Sequence, residues 1–359
     1  MNILLNKPVA PSLEKLNRYL EQVNQSGWYT NFGALHQELT HKLEAYLGVS
    51  NLLLVANGTL ALHVAYRALN VRSAICTPFS FSATASSLAW EKIPFSFVDI
   101  DSKSLNLSPS LAGDVLANEN KNVDSVVATH VYGNSCDVEA FEKIRHETEV
   151  KVIYDASHAF AVNYAGRSVL NFGDASTLSF HATKLFHTIE GGAIVFREKE
   201  NYERAKKLIN FGLDGSGKSS LVGMNAKLNE YQAAVGLTLL DSIDDILGHR
   251  RELFLRYCRA LSGYVEMPDW NEDSSVNGAY IPIILKDESE KNRIKIVLEE
   301  SGIESREYFM PSLNTVFRPQ DSCPASESVS SRILCLPLHF YLTSADVTYI
   351  CDVVKGASG

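Results

Sequence analysis

Two side chains of this sequence are well placed to do chemistry together. Lys184 sits in the polar run Ser176-Thr-Leu-Ser-Phe-His-Ala-Thr-Lys-Leu-Phe-His-Thr-Ile-Glu-Gly-Gly192, and Asp155 closes the apolar run Lys151-Val-Ile-Tyr-Asp155, twenty-nine residues earlier. An amine just past one buried strand can condense with an aldehyde. A carboxylate at the tip of a neighbouring strand can keep a pyridine nitrogen protonated, so that the ring withdraws electrons. This is the pair that a pyridoxal 5'-phosphate (PLP) enzyme requires.

A third piece completes the set. Asn57-Gly58-Thr59 stands between an apolar run and a helix-like segment. Glycine permits close backbone approach, and the free N–H groups of a helix start favour a phosphate. Thr59 and Ser179 can each add a hydroxyl. Taken singly, these features have ordinary readings: a Gly-Thr turn, an aspartate capping a helix, a solvated surface lysine. Their order, each at the end of a predicted strand, is what joins them.

The elements that must position them follow from hydrophobic periodicity. Leu13, Leu16, Leu20 and Val23 mark one amphipathic helix, and Leu35, Leu39, Leu43 and Leu47 mark a second, stopped by Gly48. Short apolar runs recur at 52–55, 73–77, 95–98, 125–130, 152–154, 177–180 and 193–196, mostly separated by helical or loop segments. Buried strands alternating with crossovers indicate an α/β fold with a mainly parallel sheet between helices. The last two runs are joined by a loop too short for a helix, so they are expected to pair antiparallel. In open sheets of this kind ligands bind at the carboxyl ends of the strands, where Gly58, Asp155 and Lys184 all fall. Residues 225–240 read as a helix, and 241–257 as a long helix after a break. A strand at 279–285 and helices at 291–300 and 344–354 suggest a smaller α/β unit. The expected division is 1–245, a large domain with an N-terminal helical segment, and 246–359, a small C-terminal domain.

Composition narrows the function. With 359 residues, 45% apolar and 21% charged, the chain is an ordinary globular protein of about two domains. The net charge of −9 argues against a nucleic-acid binder. Six scattered cysteines with no CxxC argue against a disulfide framework or zinc site and fit a reducing cytoplasm. Residues 1–20 show no signal-peptide core, and no run approaches membrane-spanning length.

The motifs resemble those of the DegT family of sugar-nucleotide aminotransferases. The likeness runs through Ser26-Gly-Trp-Tyr-Thr-Asn-Phe-Gly33, Ala56-Asn-Gly-Thr-Leu-Ala-Leu-His63, Pro78-Phe-Ser-Phe-Ser-Ala-Thr84 and Asp155-Ala-Ser-His158. It continues through the lysine loop, Gly223-Met-Asn-Ala-Lys-Leu-Asn-Glu-Tyr-Gln232 and Arg306-Glu-Tyr-Phe-Met-Pro311. The resemblance implies the PLP fold type I, with a mixed, mostly parallel seven-stranded sheet. It also implies PLP held by Gly58, Thr59, Asp155, Ser179 and Lys184, a stacking ring at Phe81, and His158 beside Asp155. Asn225 would reach the cofactor phosphate of a neighbouring subunit, which makes a homodimer.

Lys184 stands where some dehydratases of the family carry histidine, which favours transamination with L-glutamate as donor. The lysine loop looks nearest to enzymes aminating C4 of dTDP-4-keto-6-deoxy-D-glucose, a step of O-antigen sugar synthesis. A C3-specific or GDP/UDP-sugar aminotransferase and a non-catalytic PLP-fold protein are the alternatives. Candidate substrate residues are Thr30, Asn31, Lys218, Lys227, Arg306 and Tyr308, whereas Trp28, Tyr29, Phe32 and Phe309 read as core or interface.

Two decoys are set aside. Gly212-Leu-Asp-Gly-Ser-Gly-Lys-Ser219 matches a P-loop letter for letter, but a polar, helix-patterned segment precedes it and Gly223 follows where a helix should run. His181 and His187 flank Lys184 at offsets of three, but no HExxH pattern or cluster of carboxylates accompanies them, which does not make a metal site.

Overall fold

The computed structural model describes residues 2–117 and 122–358. Its centre is a seven-stranded sheet made of β1 (Leu52–Val55), β2 (Ala74–Cys76), β3 (Phe95–Phe97), β4 (Ser125–Thr129), β5 (Lys151–Asp155), β6 (Ala175–Ser179) and β7 (Gly192–Phe196). Their spatial order is β1-β7-β6-β5-β4-β2-β3. The pairs β2/β3, β2/β4, β4/β5 and β5/β6 are parallel, and β7 runs antiparallel to both β6 and β1. The antiparallel turn expected between the last two runs is therefore present.

Strand residues alternate between two cores. Leu52, Leu54, Val126, Val152, Tyr154 and Leu178 face one, while Leu53, Val55, Val127, Ile153, Ala175 and Ile194 face the other. Each buried leucine, valine or isoleucine contributes about 1.5–3 kcal/mol. A sheet buried on both faces reads as continuous apolar runs.

The two N-terminal helices, Leu13–Ser26 and Ala34–Leu47, each end on a glycine in the left-handed region, Gly27 at φ 65° and Gly48 at φ 63°. A residue with a Cβ is strained there, which is why the periodic pattern stops at those positions.

Residues 225–240 depart from expectation. The helix covers only Glu230–Leu240, capped by Asn229, whose side chain takes the Gln232 N–H while the Gln232 side chain accepts from the Asn229 N–H. Upstream of that cap the chain is not helical: Ala226 accepts from the Ala56 N–H and donates to the Ile209 carbonyl. The reciprocal cap outweighs the helix propensity of the preceding Ala-Lys-Leu.

Beyond it the helix Ile243–Leu261 spans two cores: Ile243, Ile246 and Leu247 pack against the sheet, whereas Leu253, Phe254, Tyr257 and Leu261 join a C-terminal cluster. That cluster surrounds a second, antiparallel sheet of β8 (Ile281–Ile284) and β9 (Ile333–Leu336), with helices Glu288–Glu300 and Ser344–Ala357. Strand β9 was not anticipated. It is a four-residue run wedged between the helix Pro324–Arg332 and Pro337, too short for a period to register. Among the described residues no helix is long and apolar enough to cross a membrane.

Candidate active site

Strands β1, β2, β4, β5 and β6 deliver their carboxyl ends to one edge, with Thr129, Asp155 and Thr177 side by side in the register. A cavity of about 700 Å³ opens there, lined by Asn57-Gly58-Thr59, Ser80, Phe81, Asp155, His158, Ser179, Lys184, Tyr280, Tyr308 and Phe309, among others. Its size suits a cofactor together with part of a substrate.

Lys184 reaches the cavity because its loop is anchored on both sides. Phe180 donates its N–H to Gly191 and accepts from Thr188. Phe186 stacks on Phe160 at 4.8 Å and meets Phe180 edge-on at 4.9 Å. With Leu185 and Phe186 buried, Lys184 turns the other way, and its Nζ lies 6.0 Å from the Tyr280 ring centre. The N-terminal segment straps the outside of this loop: Asn6 donates to the Thr183 carbonyl, and His187 Nε2 bonds the Val9 carbonyl at 2.9 Å. Loss of hydration lowers the Lys184 amine to about 8, against an opposing pull from Asp155. A larger share of it is therefore neutral and nucleophilic near physiological pH.

Asp155 is 4% exposed at the tip of β5. Its Oδ2 accepts from Thr84 Oγ1 at 2.8 Å, and its Oδ1 from the Ser157 N–H at 3.1 Å. Two fixed donors set the plane of the carboxylate. His158, also on the cavity wall, accepts from the Tyr132 N–H through Nδ1 at 3.2 Å, which assigns its proton to Nε2. Burial, and secondarily the Lys184 charge, hold it well below the usual histidine range. Its ring lies parallel to Phe309 at 5.8 Å.

The phosphate-type cradle is built at the start of the helix Gly58–Ala68. Asn57 Oδ1 caps the Leu60 N–H at 2.8 Å. Among the described residues no protein acceptor takes the N–H groups of Gly58 and Thr59, which line the cavity. A Cβ at residue 58 would stand 2.8 Å from the Ser179 Cβ, so only glycine lets this helix start approach β6 so closely. Amine, carboxylate, cradle and hydroxyls together fit an aldehyde-bearing pyridine phosphate.

The other expected residues are placed differently. Phe81 borders the cavity with 58% of its surface exposed. Tyr308 and Phe309 both line it, so Phe309 is core and cavity wall at once. Thr30, Asn31, Lys218, Asn225 and Arg306 are exposed and lie outside its lining. Lys227 is buried under Phe211 and bonds Asn210 Oδ1 at 2.9 Å, a packed residue rather than a ligand-facing one. Trp28 and Tyr29 are half-exposed, not core.

The P-loop match has no strand before it. It follows the helix Lys199–Leu208 and forms a turn in which Asp214 Oδ1 accepts from the Ser216 and Lys218 N–H groups. His181 and Glu190 pair at 3.7 Å on the rim. Among the described residues no group of three or more His, Cys, Asp or Glu side chains is placed to hold a metal ion.

Sequence reasoning missed several supporting contributors. Tyr280 belongs to no recognisable motif, yet it is a cavity wall. Its loop is held by buried Arg250, which donates to the Gly278 and Ala279 carbonyls at 2.9 Å. The segment bearing Tyr308 and Phe309 is held by Glu307, paired with buried Lys291 at 2.5 Å and with Lys295. Glu230, inside a recognised motif, acts at a distance: its buried carboxylate accepts the Leu35 and His36 N–H groups at 2.8 and 2.9 Å and so caps the helix Ala34–Leu47.

The mixed seven-stranded sheet with this cavity at its carboxyl edge defines a type I PLP-dependent fold. The sequence matches the DegT/DnrJ/EryC1/StrS aminotransferase family over residues 12–355, and the chain belongs to that family. The dTDP-4-amino-4,6-dideoxy-D-glucose transaminase of Shigella dysenteriae is 37% identical to it across 98% of both chains. GDP-perosamine synthase of Escherichia coli O157:H7 is 27% identical across 96% of both. The crystal structure of DesI in the presence of its TDP-sugar product superposes with a TM-score of 0.92 at 28% identity, covering 99% of this chain and 93% of that one.

Proposed function

We propose that the protein transfers an amino group from L-glutamate to a nucleotide-linked keto-deoxy sugar, with PLP as cofactor, converting dTDP-4-keto-6-deoxy-D-glucose to dTDP-4-amino-4,6-dideoxy-D-glucose. The observation that carries the reading is the Lys184 amine, lowered to about 8, in one cavity with Asp155 and the Gly58 cradle. The dTDP-sugar choice rests on the 37% identity to the Shigella enzyme against 27% to the GDP-sugar enzyme.

When bound, PLP supplies an electron-withdrawing ring that stabilises negative charge on the carbon bearing the transferred nitrogen. Lys184 would hold it covalently. Once displaced, Lys184 Nζ accepts the proton from Cα of the donor and later returns one to C4 of the sugar. Asp155 would keep the ring nitrogen protonated. The Gly58 and Thr59 N–H groups and the Thr59 and Ser179 hydroxyls would take the cofactor's phosphate, with Phe81 and His158 beside the ring.

The protein acts as a cytoplasmic homodimer in which Asn225 serves the partner's cofactor phosphate. Residues 1–245 form the PLP-binding domain and 246–359 the smaller one. Thr30, Asn31, Lys218 and Arg306 are the candidates to meet the nucleotide, with Tyr308 at the sugar. Incubation with PLP, L-glutamate and a panel of 3-keto and 4-keto dTDP, GDP and UDP sugars tests this. The 4-amino dTDP product should dominate, and exclusive turnover of a 3-keto or GDP sugar would replace the substrate assignment.

A further inference from the structure

A chain of hydroxyls runs from Asp155 into the protein, through Thr84 and Ser80, which also borders the cavity, to Thr129 beyond it. Thr84 Oγ1 donates to Asp155 Oδ2 at 2.8 Å, Ser80 Oγ is 2.9 Å from Thr84 Oγ1, and Thr129 Oγ1 donates to Ser80 Oγ at 3.1 Å. Thr84, Ser80 and Thr129 are 0%, 2% and 1% exposed, so each hydroxyl must find its partner inside the protein.

The direction of the chain follows from counting protons. A hydroxyl carries one proton, and an ionised carboxylate only accepts. The Thr84 proton is committed to Asp155, so Ser80 donates to Thr84, and Ser80 in turn accepts from Thr129. All three dipoles point at the carboxylate, and hydrogen bonds aligned in this way polarise one another. Three separate elements supply the members: Thr129 ends β4, Ser80 lies in the loop after β2, and Thr84 is in the helix Ala83–Trp90. With the Ser157 N–H on Oδ1, the chain fixes which lone pairs Asp155 turns toward the cavity.

We propose that Thr84, backed by Ser80 and Thr129, is a positioning residue that orients Asp155 toward the cofactor's ring nitrogen. This rests on the PLP reading above. Thr84, which lies outside the cavity lining, acts on that nitrogen through Asp155, so its loss lowers discrimination for a ring that has one.

The test uses the cofactor-free full-length protein and two ligands that do not link covalently to Lys184. These are pyridoxamine 5'-phosphate and its 1-deaza analogue, in which carbon replaces the ring nitrogen. Dissociation constants are measured by fluorescence titration, and folding is checked by circular dichroism. Wild type should prefer the nitrogen-bearing ligand. Thr84→Val should cut that preference about tenfold, the range of a lost hydrogen bond to a charged group, and Thr84→Ser should restore it to within about twofold.

Ser80→Ala, which leaves the Thr84–Asp155 contact in place, should give a smaller drop of about threefold; it carries the test if Thr84→Val fails to fold. Equal loss of affinity for both ligands in Thr84→Val, or an unchanged preference in both variants, overturns the inference. Wild type that binds neither ligand overturns the PLP reading itself, and the inference with it.

Discussion

The lowered pKa of Lys184 has a quantitative consequence in the protein before cofactor is added. An unperturbed lysine amine, at 10.5, is about 0.03% neutral at pH 7, whereas one at about 8 is about 9% neutral, a gain of about 300-fold in nucleophile. The perturbation is pH, read at one residue. Trace acetylation with acetic anhydride, resolved by peptide mass spectrometry, gives the rate at Lys184 separately from the surface lysines. That rate should rise with pH, reach half its maximum near 8 and then level off.

Asp155→Asn supplies a sign check. The cause that lowers the amine is burial, and Asp155 opposes it by favouring the charged form. Removing that carboxylate must move the midpoint further down, not up. A midpoint near 10.5 in the wild type, or an upward shift in Asp155→Asn, would refute the electrostatic argument.

Three further outcomes follow from the geometry. Gly58→Ala sets a methyl group 2.8 Å from the Ser179 Cβ; the helix start must retreat, at about 1–3 kcal/mol in urea unfolding, with weaker binding of pyridoxamine 5'-phosphate. Glu230→Gln turns a buried acceptor of two N–H groups into a neutral amide, and should cost about 1–3 kcal/mol by the same measurement, with the loss centred on the helix Ala34–Leu47 in hydrogen exchange. If Asn225 serves the partner's site, mixing inactive Lys184→Ala and Asn225→Ala chains under exchange should restore one intact site per hybrid dimer, about a quarter of all sites; no recovery argues against a shared site.

The legible part of this molecule was the part that local sequence controls. The apolar runs reported β1 and the lysine hairpin because a strand buried on both faces cannot hide its composition. Asp155, Gly58 and Lys184 were visible because the chain meets the cavity at strand ends. What stayed hidden depends on contacts between distant segments. Glu230 caps a helix that begins 196 residues earlier in the sequence. Ser80 and Thr129 look like any loop and strand hydroxyls until the sheet brings them together. Residues 225–229 leave the helical pattern because the backbone of Ala226 pairs with Ala56 and Ile209, which belong to other segments of the chain. The exposure of Thr30, Asn31, Lys218 and Arg306 likewise reflects tertiary placement that no local pattern encodes.

The central claim is that Lys184 is the residue to which the cofactor attaches, and borohydride reduction tests it most directly. Protein loaded with PLP is reduced, digested and mapped by mass spectrometry. The pyridoxyl mass should appear on the peptide containing Lys184, about one per chain, and be absent from Lys184→Ala. A stoichiometric label on a different lysine, or none in the wild type, would contradict the account.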